Sequence, residues 1–245
     1  IESYLQKRAT DISQKTKEVI SRGTINNELV ILKMIFERLV DGGNLKTSPA
    51  QKVAQLKEND KQFHVITSDE EIFYLMSAPQ PLQDIFILMI ECGFRPKELF
   101  ALSKKQINLE KEYVQVVNGK TESSNRKVYL TSKAKKIISE RLSRFKENLL
   151  FPNKEIDGNP PVSAAYVNNQ HLAVMKPSTM DFRMYDARHT CATRLLESGC
   201  DLLTLAYILG HNDLSTLKRY AHPSETRKQE AVKKMELARM SVAKM

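Results

Sequence analysis

The sequence lacks the hallmarks of a membrane-spanning, secreted or zinc-binding protein. No apolar run approaches the roughly 18 residues that a membrane-spanning helix needs, and the longest, IFILMI, covers only 85–90. The three cysteines, Cys92, Cys191 and Cys200, form no CxxC pair. Their odd number and scattered positions favour reduced thiols and argue against a structural zinc site. We therefore expect a cytoplasmic protein.

The start of the chain has no secretory signal, and its first residue is Ile1 rather than methionine. We expect the native N-terminus to lie upstream. The 245 residues suggest one large domain or two modest ones. A net charge of +9 favours binding to polyanions, because released counterions contribute to affinity. Charge alone is equally compatible with an ordinary basic surface.

The first sixty residues have a helical pattern. In TINNELVILKMIFERLV the apolar residues recur at three- and four-residue steps. Thr24 is the expected N-cap of this helix, and Gly42 its expected end. A weaker helix is expected over 2–20, and a polar stretch over 56–64 is typical of a linker.

The remainder predicts helices interrupted by one small sheet. Residues Thr67 to Glu71 resemble a helix N-cap with acids in the first turn, while Gly93 should end one helix and Pro96 begin another. Three β-rich segments, with a turn at Asn118-Gly119, predict an antiparallel three-stranded sheet within 105–130. Further helices are expected at about 132–147, 163–174, 188–198, 202–209, 214–220 and 224–241. The predicted fold class is therefore mainly α with a small three-stranded antiparallel sheet (α+β), in two domains.

Two basic residues stand at places where a loop could present them to a phosphate. Arg95, in GFRPKEL, lies between the expected end of one helix and the start of the next, where free helix N–H groups suit an anion. Lys120, in NGKTESSNR, lies in the expected hairpin turn. Taken singly, each is also explained as a solvated loop residue.

Two C-terminal stretches add further candidates. In RMYDARHTCATRLLESGCD, Tyr185 precedes Arg188 by three residues and His189 follows it. In LGHNDLSTLKRYAH, His211 follows a glycine, and Tyr220 comes nine residues later. Taken singly, these residues fit ordinary packing or capping.

As a set, these motifs resemble those of the tyrosine recombinase (phage-integrase) family. The resemblance covers 65–222 and extends more loosely to 24–53. It implies a helical core-binding (SAM-like) DNA-binding domain over 1–62, N-terminally incomplete, followed by a catalytic domain over 65–245.

The resemblance also implies an activity: a site-specific recombinase or integrase that cleaves and rejoins DNA through a 3′-phosphotyrosine, without metal or ATP. Tyr220 would be the nucleophile, and Lys120 would protonate the 5′-oxygen leaving group. Arg95, Arg188 and His211 would stabilise charge on the phosphate oxygens. The absence of a carboxylate cluster near these motifs fits a reaction with no metal, and no cofactor is expected.

One position departs from the family pattern. Tyr185 stands where the family has histidine or lysine, and we count it with the catalytic set. A phenol, with a reference pKa near 10, is a poor general base at neutral pH. We expect Tyr185 to hydrogen-bond the phosphate or Tyr220, with simple packing as the alternative. His189 points about 100° away around the helix and is expected to support the site.

The implied partner is double-stranded DNA, with no membrane association. The family acts as a homotetramer on DNA, so we expect a monomer or weak oligomer when free and a nucleoid-associated, bacterial or phage-like protein. The helix at 224–241 would dock on a neighbouring subunit or pack on its own domain. A catalytically weak or inactive DNA-binding protein with the same fold is the alternative. A type IB topoisomerase shares the chemistry, but ARHT and the short catalytic domain disfavour it.

Overall fold

The protein is described by a computed structural model in which the chain divides into two compact units, Ile1–Gln62 and Phe63–Met245. Their assignment as a core-binding domain and a catalytic domain stays a prediction. The described residues are 1–14, 17–58, 63–117, 125–144, 148–153, 156, 158, 160–211, 217, 229, 232–233 and 235–236.

In the first unit, helix α1 is shorter than the sequence predicted. It covers Glu2–Arg8, and the expected helix over 2–20 is wrong beyond that point. The Thr10 hydroxyl donates a hydrogen bond to the Lys7 carbonyl at 2.8 Å, a local bond that competes with the helical ladder. Ile12 and Val19 then pair as an antiparallel bridge, so the chain doubles back on itself.

Helix α2 covers Arg22–Asp41 and begins before the expected Thr24. The N-cap is Ser21, whose hydroxyl oxygen accepts a hydrogen bond from the Thr24 amide at 3.3 Å. The predicted end at Gly42 is confirmed. The buried core of this unit consists of Leu5, Ile25, Leu29 and Val53.

The second unit is mainly helical, with one small sheet. Its helices are α3 (Ser68–Ser77), α4 (Leu82–Cys92), α5 (Pro96–Phe100), α6 (Ser132–Arg144), α7 (Ala164–Met175), α8 (Met184–Glu197) and α9 (Leu202–Leu209). The sheet, in order β1-β2-β3, is formed by Ile107–Asn108, Tyr113–Val116 and Arg126–Tyr129. The predicted fold class is confirmed. No described helix is long and apolar enough to cross a membrane.

Helix α4 is the centre of this unit. Seven of its eleven residues are buried, and it packs against α6, α7 and α8. A helix that is apolar nearly all round belongs in the interior, because no face of it suits water. It ends as predicted at Gly93, which adopts a left-handed backbone with φ 67°. The C-terminal end of α4, which leads into Arg95, therefore lies within the core.

The sheet is antiparallel throughout, as predicted. Val114 of β2 pairs with Ile107 of β1 on one side and with Val128 of β3 on the other. Val114, Val116 and Val128 are buried, which orients one face of the sheet to the core. The predicted turn at Asn118-Gly119 lies outside the described residues.

Helix α8 begins at Met184, four residues before the predicted start. The reason is a cap that the sequence reading missed: the Asp186 carboxylate accepts a hydrogen bond from the Arg183 amide at 2.8 Å. The earlier start places Tyr185 on the helix, one turn before Arg188. The predicted α9 and its end at Gly210 are confirmed. The predicted helices at 214–220 and 224–241 are described only at isolated positions.

Candidate active site

The C-terminal end of α9 is a tight hydrogen-bonded turn that leads into His211. Gly210 has φ 66°, the Gly210 amide donates to the Tyr207 carbonyl at 3.2 Å, and the His211 amide donates to the Ala206 carbonyl at 2.9 Å. This pair of bonds is the Schellman motif, which requires a left-handed residue and so favours glycine. The LGH sequence thereby fixes the backbone on which the imidazole of His211 is carried.

Three arginines donate hydrogen bonds to three successive carbonyls of this turn. Arg126 Nε bonds to the Ile208 carbonyl at 2.9 Å, Arg188 Nη2 bonds to the Leu209 carbonyl at 2.6 Å, and Arg95 Nη2 bonds to the Gly210 carbonyl. The last carbonyls of a helix have no partner within it and carry the negative end of its dipole. Three cations from separate elements are therefore gathered at one helix end.

Arg188 is the most deeply buried of the three, with 1% of its surface exposed. It also donates through Nη1 to the carbonyl of Gly93, at the end of α4, so two helix C-termini share its charge. Burial lowers the pKa of Arg188 to about 10; Arg95 and Arg126 act in the same direction, and Tyr185 and Glu98 oppose it. The guanidinium is charged at neutral pH.

Arg95 and Arg126 share the buried carboxylate of Glu98. Arg126 binds it with two parallel hydrogen bonds, Nη1 to Oε1 at 2.8 Å and Nη2 to Oε2 at 2.9 Å. Arg95 adds a bond from its amide to Oε2 at 2.8 Å and one from Nη1 to Oε1 at 2.9 Å. Glu98 thus orients the Arg95 side chain, 30% of which is exposed to solvent.

The ionised state of Glu98 is strongly favoured. Burial alone would raise the pKa of its carboxyl. The hydrogen bonds and charge of Arg126, together with the hydrogen bonds of Arg95, outweigh burial and lower the pKa to about 2. This ion pair joins the start of β3 to the start of α5. Glu98 also binds the Arg95 side chain, and Arg126 also binds the Ile208 carbonyl in the turn that leads into His211. The pair therefore restricts the positions of both catalytic candidates.

Two glycines allow the close approach of these elements. A Cβ at Gly93 would lie 2.6 Å from Leu209 Cδ2, and one at Gly210 would lie 2.8 Å from Arg126 Cδ. Both glycines have positive φ, so each meets a steric and a conformational requirement at once. The glycines that the sequence marked as helix ends also permit the packing of the site.

Tyr185 and Arg188 lie three residues apart on α8, and Tyr185 opposes the lowering of the Arg188 pKa by burial. Tyr185 is 39% exposed and so only partly packed, and both the expected hydrogen bond and the alternative of simple packing stay predictions. The ring meets the ring of His189, one turn later, edge to face at a centroid distance of 5.0 Å. His189 therefore contacts a candidate catalytic residue, and its supporting role stays a prediction.

The structure brings together four of the six predicted site residues: Arg95, Tyr185, Arg188 and His211. Lys120 and Tyr220 lie outside the described residues. Sequence reasoning did not identify Glu98 or Arg126 as parts of the site. Among the described residues, no group of three or more His, Cys, Asp or Glu side chains could hold a metal ion.

Comparison with known proteins identifies the family of the chain. The model of the phage integrase family matches residues 61–227, more than half of the chain. The chain belongs to the phage integrase family. The predicted resemblance is confirmed, and with it the prediction of a tyrosine-type site-specific recombinase at the level of the family.

Several curated proteins are similar over most of the chain. A tyrosine recombinase XerC of Lactobacillus delbrueckii subsp. bulgaricus is 26% identical over 230 residues, which cover 85% of this chain and 75% of that protein. The shufflon-specific DNA recombinase of Escherichia coli is 26% identical over 227 residues, covering 91% of this chain and 56% of that protein. The similarity thus extends beyond the matched catalytic motifs.

Solved structures share the fold at lower identity. The Tn1549 transposon integrase in complex with circular intermediate DNA aligns with a TM-score of 0.75 at 19% identity, covering 95% of this chain and 85% of that one. A lambda integrase dimer bound to a COC′ core site aligns with a TM-score of 0.70 at 14% identity, covering 91% and 80%. At these identities the likeness concerns the fold.

Proposed function

We propose that the protein is a site-specific recombinase that cleaves and rejoins double-stranded DNA through a 3′-phosphotyrosine on Tyr220. The observation that carries the proposal is the set of arginine contacts on the carbonyls of Leu209 and Gly210, directly before His211. It gathers two guanidiniums and an imidazole at one place, a combination suited to a phosphodiester. The relatives named tyrosine recombinase support the same conclusion.

In this reaction the phenol of Tyr220 gives up its proton to solvent, its oxygen attacks the phosphorus, and the bond to the 5′-oxygen breaks. One P–O bond replaces another, so the bond energy is conserved and ATP is not required. Arg95, Arg188 and His211 stabilise the developing charge on the phosphate oxygens through charge-assisted hydrogen bonds. One arginine in such a position is worth about 10³–10⁵-fold in rate, by analogy with arginine fingers. No step in this scheme needs a metal.

Lys120 protonates the 5′-oxygen as it leaves, and Tyr185 hydrogen-bonds the phosphate or the nucleophile. In the reverse direction the 5′-hydroxyl of a second strand attacks the phosphotyrosine and releases Tyr220. The unit Phe63–Met245 is the catalytic domain in this proposal, and Ile1–Gln62 is the core-binding domain. Four copies on two duplexes would complete strand exchange.

Covalent trapping on a mixture of DNA sequences tests the proposal. The protein is incubated with sheared genomic DNA, denatured, and the DNA that stays attached is sequenced. A nicked suicide duplex built on the recovered site should then give a covalent protein–DNA adduct with the wild type and none with Tyr220→Phe. Recovery of no attached DNA, or an adduct that persists in Tyr220→Phe, would refute the proposal.

A second candidate function is DNA binding with little or no cleavage. Tyr185 is the observation that favours it, because a phenol stands three residues before Arg188 where the family has an ionisable nitrogen. Noncovalent capture discriminates the two functions: genomic fragments that the native protein retains are sequenced, and an intact and a nicked duplex are built on the bound site. Retention of the intact duplex in a mobility-shift assay, combined with no adduct from the nicked form, would support the binding protein.

A further inference from the structure

Three aromatic rings form a continuous stack beside the candidate site. The rings of Tyr185 and His189 meet edge to face, with centroids 5.0 Å apart and an interplanar angle of 68°. On the His189 ring lies the ring of Phe63, at a centroid distance of 4.9 Å and an angle of 30°. Such offset and edge-to-face contacts are the favoured geometries of aromatic pairs. The stack therefore connects Tyr185 to the first residue of the second unit.

The segment that carries Phe63 is fixed along α8 by polar contacts. The Ile66 amide donates to Thr190 Oγ1 at 2.9 Å, one residue after His189. His64 Nε2 pairs with Glu70 Oε2 at 2.7 Å, which ties the same segment to α3. These contacts hold the backbone that follows the ring. The position of Phe63 against His189 is thus determined by more than the ring contact itself.

The position of Tyr185 in α8 does not by itself fix the orientation of its side chain. It lies in the first turn of α8 and is 39% exposed. An exposed tyrosine in a first helical turn has several rotamers available to it. Only some of them would direct the hydroxyl toward Arg188. A ring packed against the phenol restricts that choice.

We propose that His189 is a positioning residue for Tyr185, and that Phe63 supports His189 from its other side. The two rings together restrict the orientation of the Tyr185 side chain on the first turn of α8. The inference about ring positions stands on these contacts alone. Its consequence for cleavage rests on the proposed function.

Fluorine NMR tests the positional part without any DNA. The protein is labelled with 3-fluorotyrosine at its eight tyrosines, and Tyr185→Phe identifies the Tyr185 resonance. His189→Ala should shift that resonance, because the ring current of the imidazole is lost, whereas the resonance of exposed Tyr129 should stay in place. A Tyr185 resonance that does not move in His189→Ala would overturn the proposal.

The role of Phe63 is tested in the same spectra. Phe63→Leu keeps apolar volume but removes the ring, and it should shift the Tyr185 resonance in the wild-type background. In the His189→Ala background, Phe63→Leu should add no further shift, because its effect passes through the imidazole. An equal shift of the Tyr185 resonance in both backgrounds would refute the inference that Phe63 acts on Tyr185 through His189. If either His189→Ala or Phe63→Leu prevents folding, the other single variant still shows whether its own ring affects the Tyr185 resonance.

Cleavage of the nicked duplex tests the consequence for the reaction. His189→Ala should slow adduct formation by roughly 2- to 10-fold, the range that an aromatic pair supports. His189→Phe, which keeps a ring, should restore most of that rate. In the Tyr185→Phe background, His189→Ala should change the rate by less than about 2-fold, because there is no hydroxyl left to position.

Equal losses in both backgrounds would show that His189 acts on the fold rather than through Tyr185, which would overturn the proposal. Affinity for the intact duplex should not change in any of these variants. Failure of the wild type to form an adduct would refute the proposed function alone, and the fluorine shifts would then decide the positional inference.

Discussion

The guanidinium of Arg126 and the carboxylate of Glu98 form a buried ion pair with two parallel hydrogen bonds of 2.8 and 2.9 Å. Arg126 is 7% exposed and Glu98 is 8% exposed, so neither charge has water to replace its partner. The pair connects the sheet to α5, while the third donor of Arg126 reaches the end of α9. Removing either side chain should therefore disturb two catalytic candidates, Arg95 and His211, together.

Arg126→Ala should lower the free energy of unfolding by about 3–5 kcal/mol, because it leaves Glu98 as a buried charge with one of its two cationic partners lost. Urea unfolding monitored by circular dichroism measures the change. Lys127→Ala is the matched control: this neighbour on β3 is exposed and lies 4.7 Å from the Tyr113 ring centroid, a contact worth about 1 kcal/mol or less at an exposed site. Similar losses in the two variants would contradict the assigned role of the pair.

The sequence contains a signal for Arg126 but none for its pairing with Glu98. The segment RKVYLT indicates a strand, and its period of two places Arg126 on the same face as the buried Val128. That pattern could have marked Arg126 as a buried cation in need of a partner. It could not identify Glu98 as the partner, because the pairing depends on how α5 packs against the sheet, and local periodicity contains no information about that packing.

In the rest of the site, too, local features were predicted from the sequence, whereas contacts between elements were not. The motifs around Arg95, Arg188 and His211 were sufficient to predict the family and the helix ends at Gly93 and Gly210. The sequence did not predict that successive carbonyls of one helix end would accept the arginines. That arrangement arises only when β3, α8 and the junction before α5 meet the end of α9. The stack of Phe63 on His189 was missed for the same reason, because the two residues are far apart in the chain.

The stability of the protein should depend on Glu98 in acid. The folded-state pKa of about 2 lies below the ordinary value of 4.5. The ionised carboxylate therefore stabilises the fold fully above about pH 4.5, and this contribution is lost as the pH falls through the folded-state value. Its size is on the order of 3 kcal/mol. Glu98→Gln should be less stable than the wild type at pH 7, and the difference should shrink between pH 4.5 and 2.

Urea unfolding of the two proteins at a series of pH values between about 7 and 3 tests this dependence. The wild-type curve should fall more steeply with decreasing pH than the curve of Glu98→Gln. A difference that stays constant across the series would mean that Glu98 is not the group responsible. Glu112→Gln is a suitable control, since Glu112 is exposed and pairs with Lys135 at the surface.

Gly210→Ala should damage the site by two mechanisms. The residue has φ 66°, which costs roughly 1 kcal/mol for a residue with a Cβ, and the new Cβ would lie 2.8 Å from Arg126 Cδ. Gly43→Ala provides the matched control, because Gly43 has φ 74° but nothing within 4 Å of the added carbon. We expect a loss of about 1 kcal/mol for Gly43→Ala and clearly more for Gly210→Ala, measured by thermal unfolding.

The rate of adduct formation shows whether the collision of a Cβ at residue 210 with Arg126 affects the reaction, beyond the cost of a positive φ alone. Gly43→Ala should leave the rate of adduct formation unchanged, because Gly43 follows α2 in the first unit and the added carbon meets no neighbour there. Gly210→Ala should slow it, since the displaced Arg126 no longer holds Glu98 and the turn before His211. Equal rates for the two variants would show that the approach of Arg126 to Gly210 is not needed for the reaction.

The hydroxyl of Tyr185 is expected to contribute to cleavage through a hydrogen bond to the phosphate or to Tyr220. Hydrogen bonds to charged groups are worth about 1.5–3 kcal/mol, so Tyr185→Phe should slow adduct formation by roughly 10-fold or more without weakening binding to the intact duplex. Tyr185→His places an ionisable nitrogen at this position, as in the family pattern, and should recover part or all of the rate. Burst kinetics on the nicked duplex measure the three proteins side by side. If Tyr185→Phe forms the adduct as fast as the wild type, the hydroxyl is dispensable, and the phenol beside Arg188 serves only to pack.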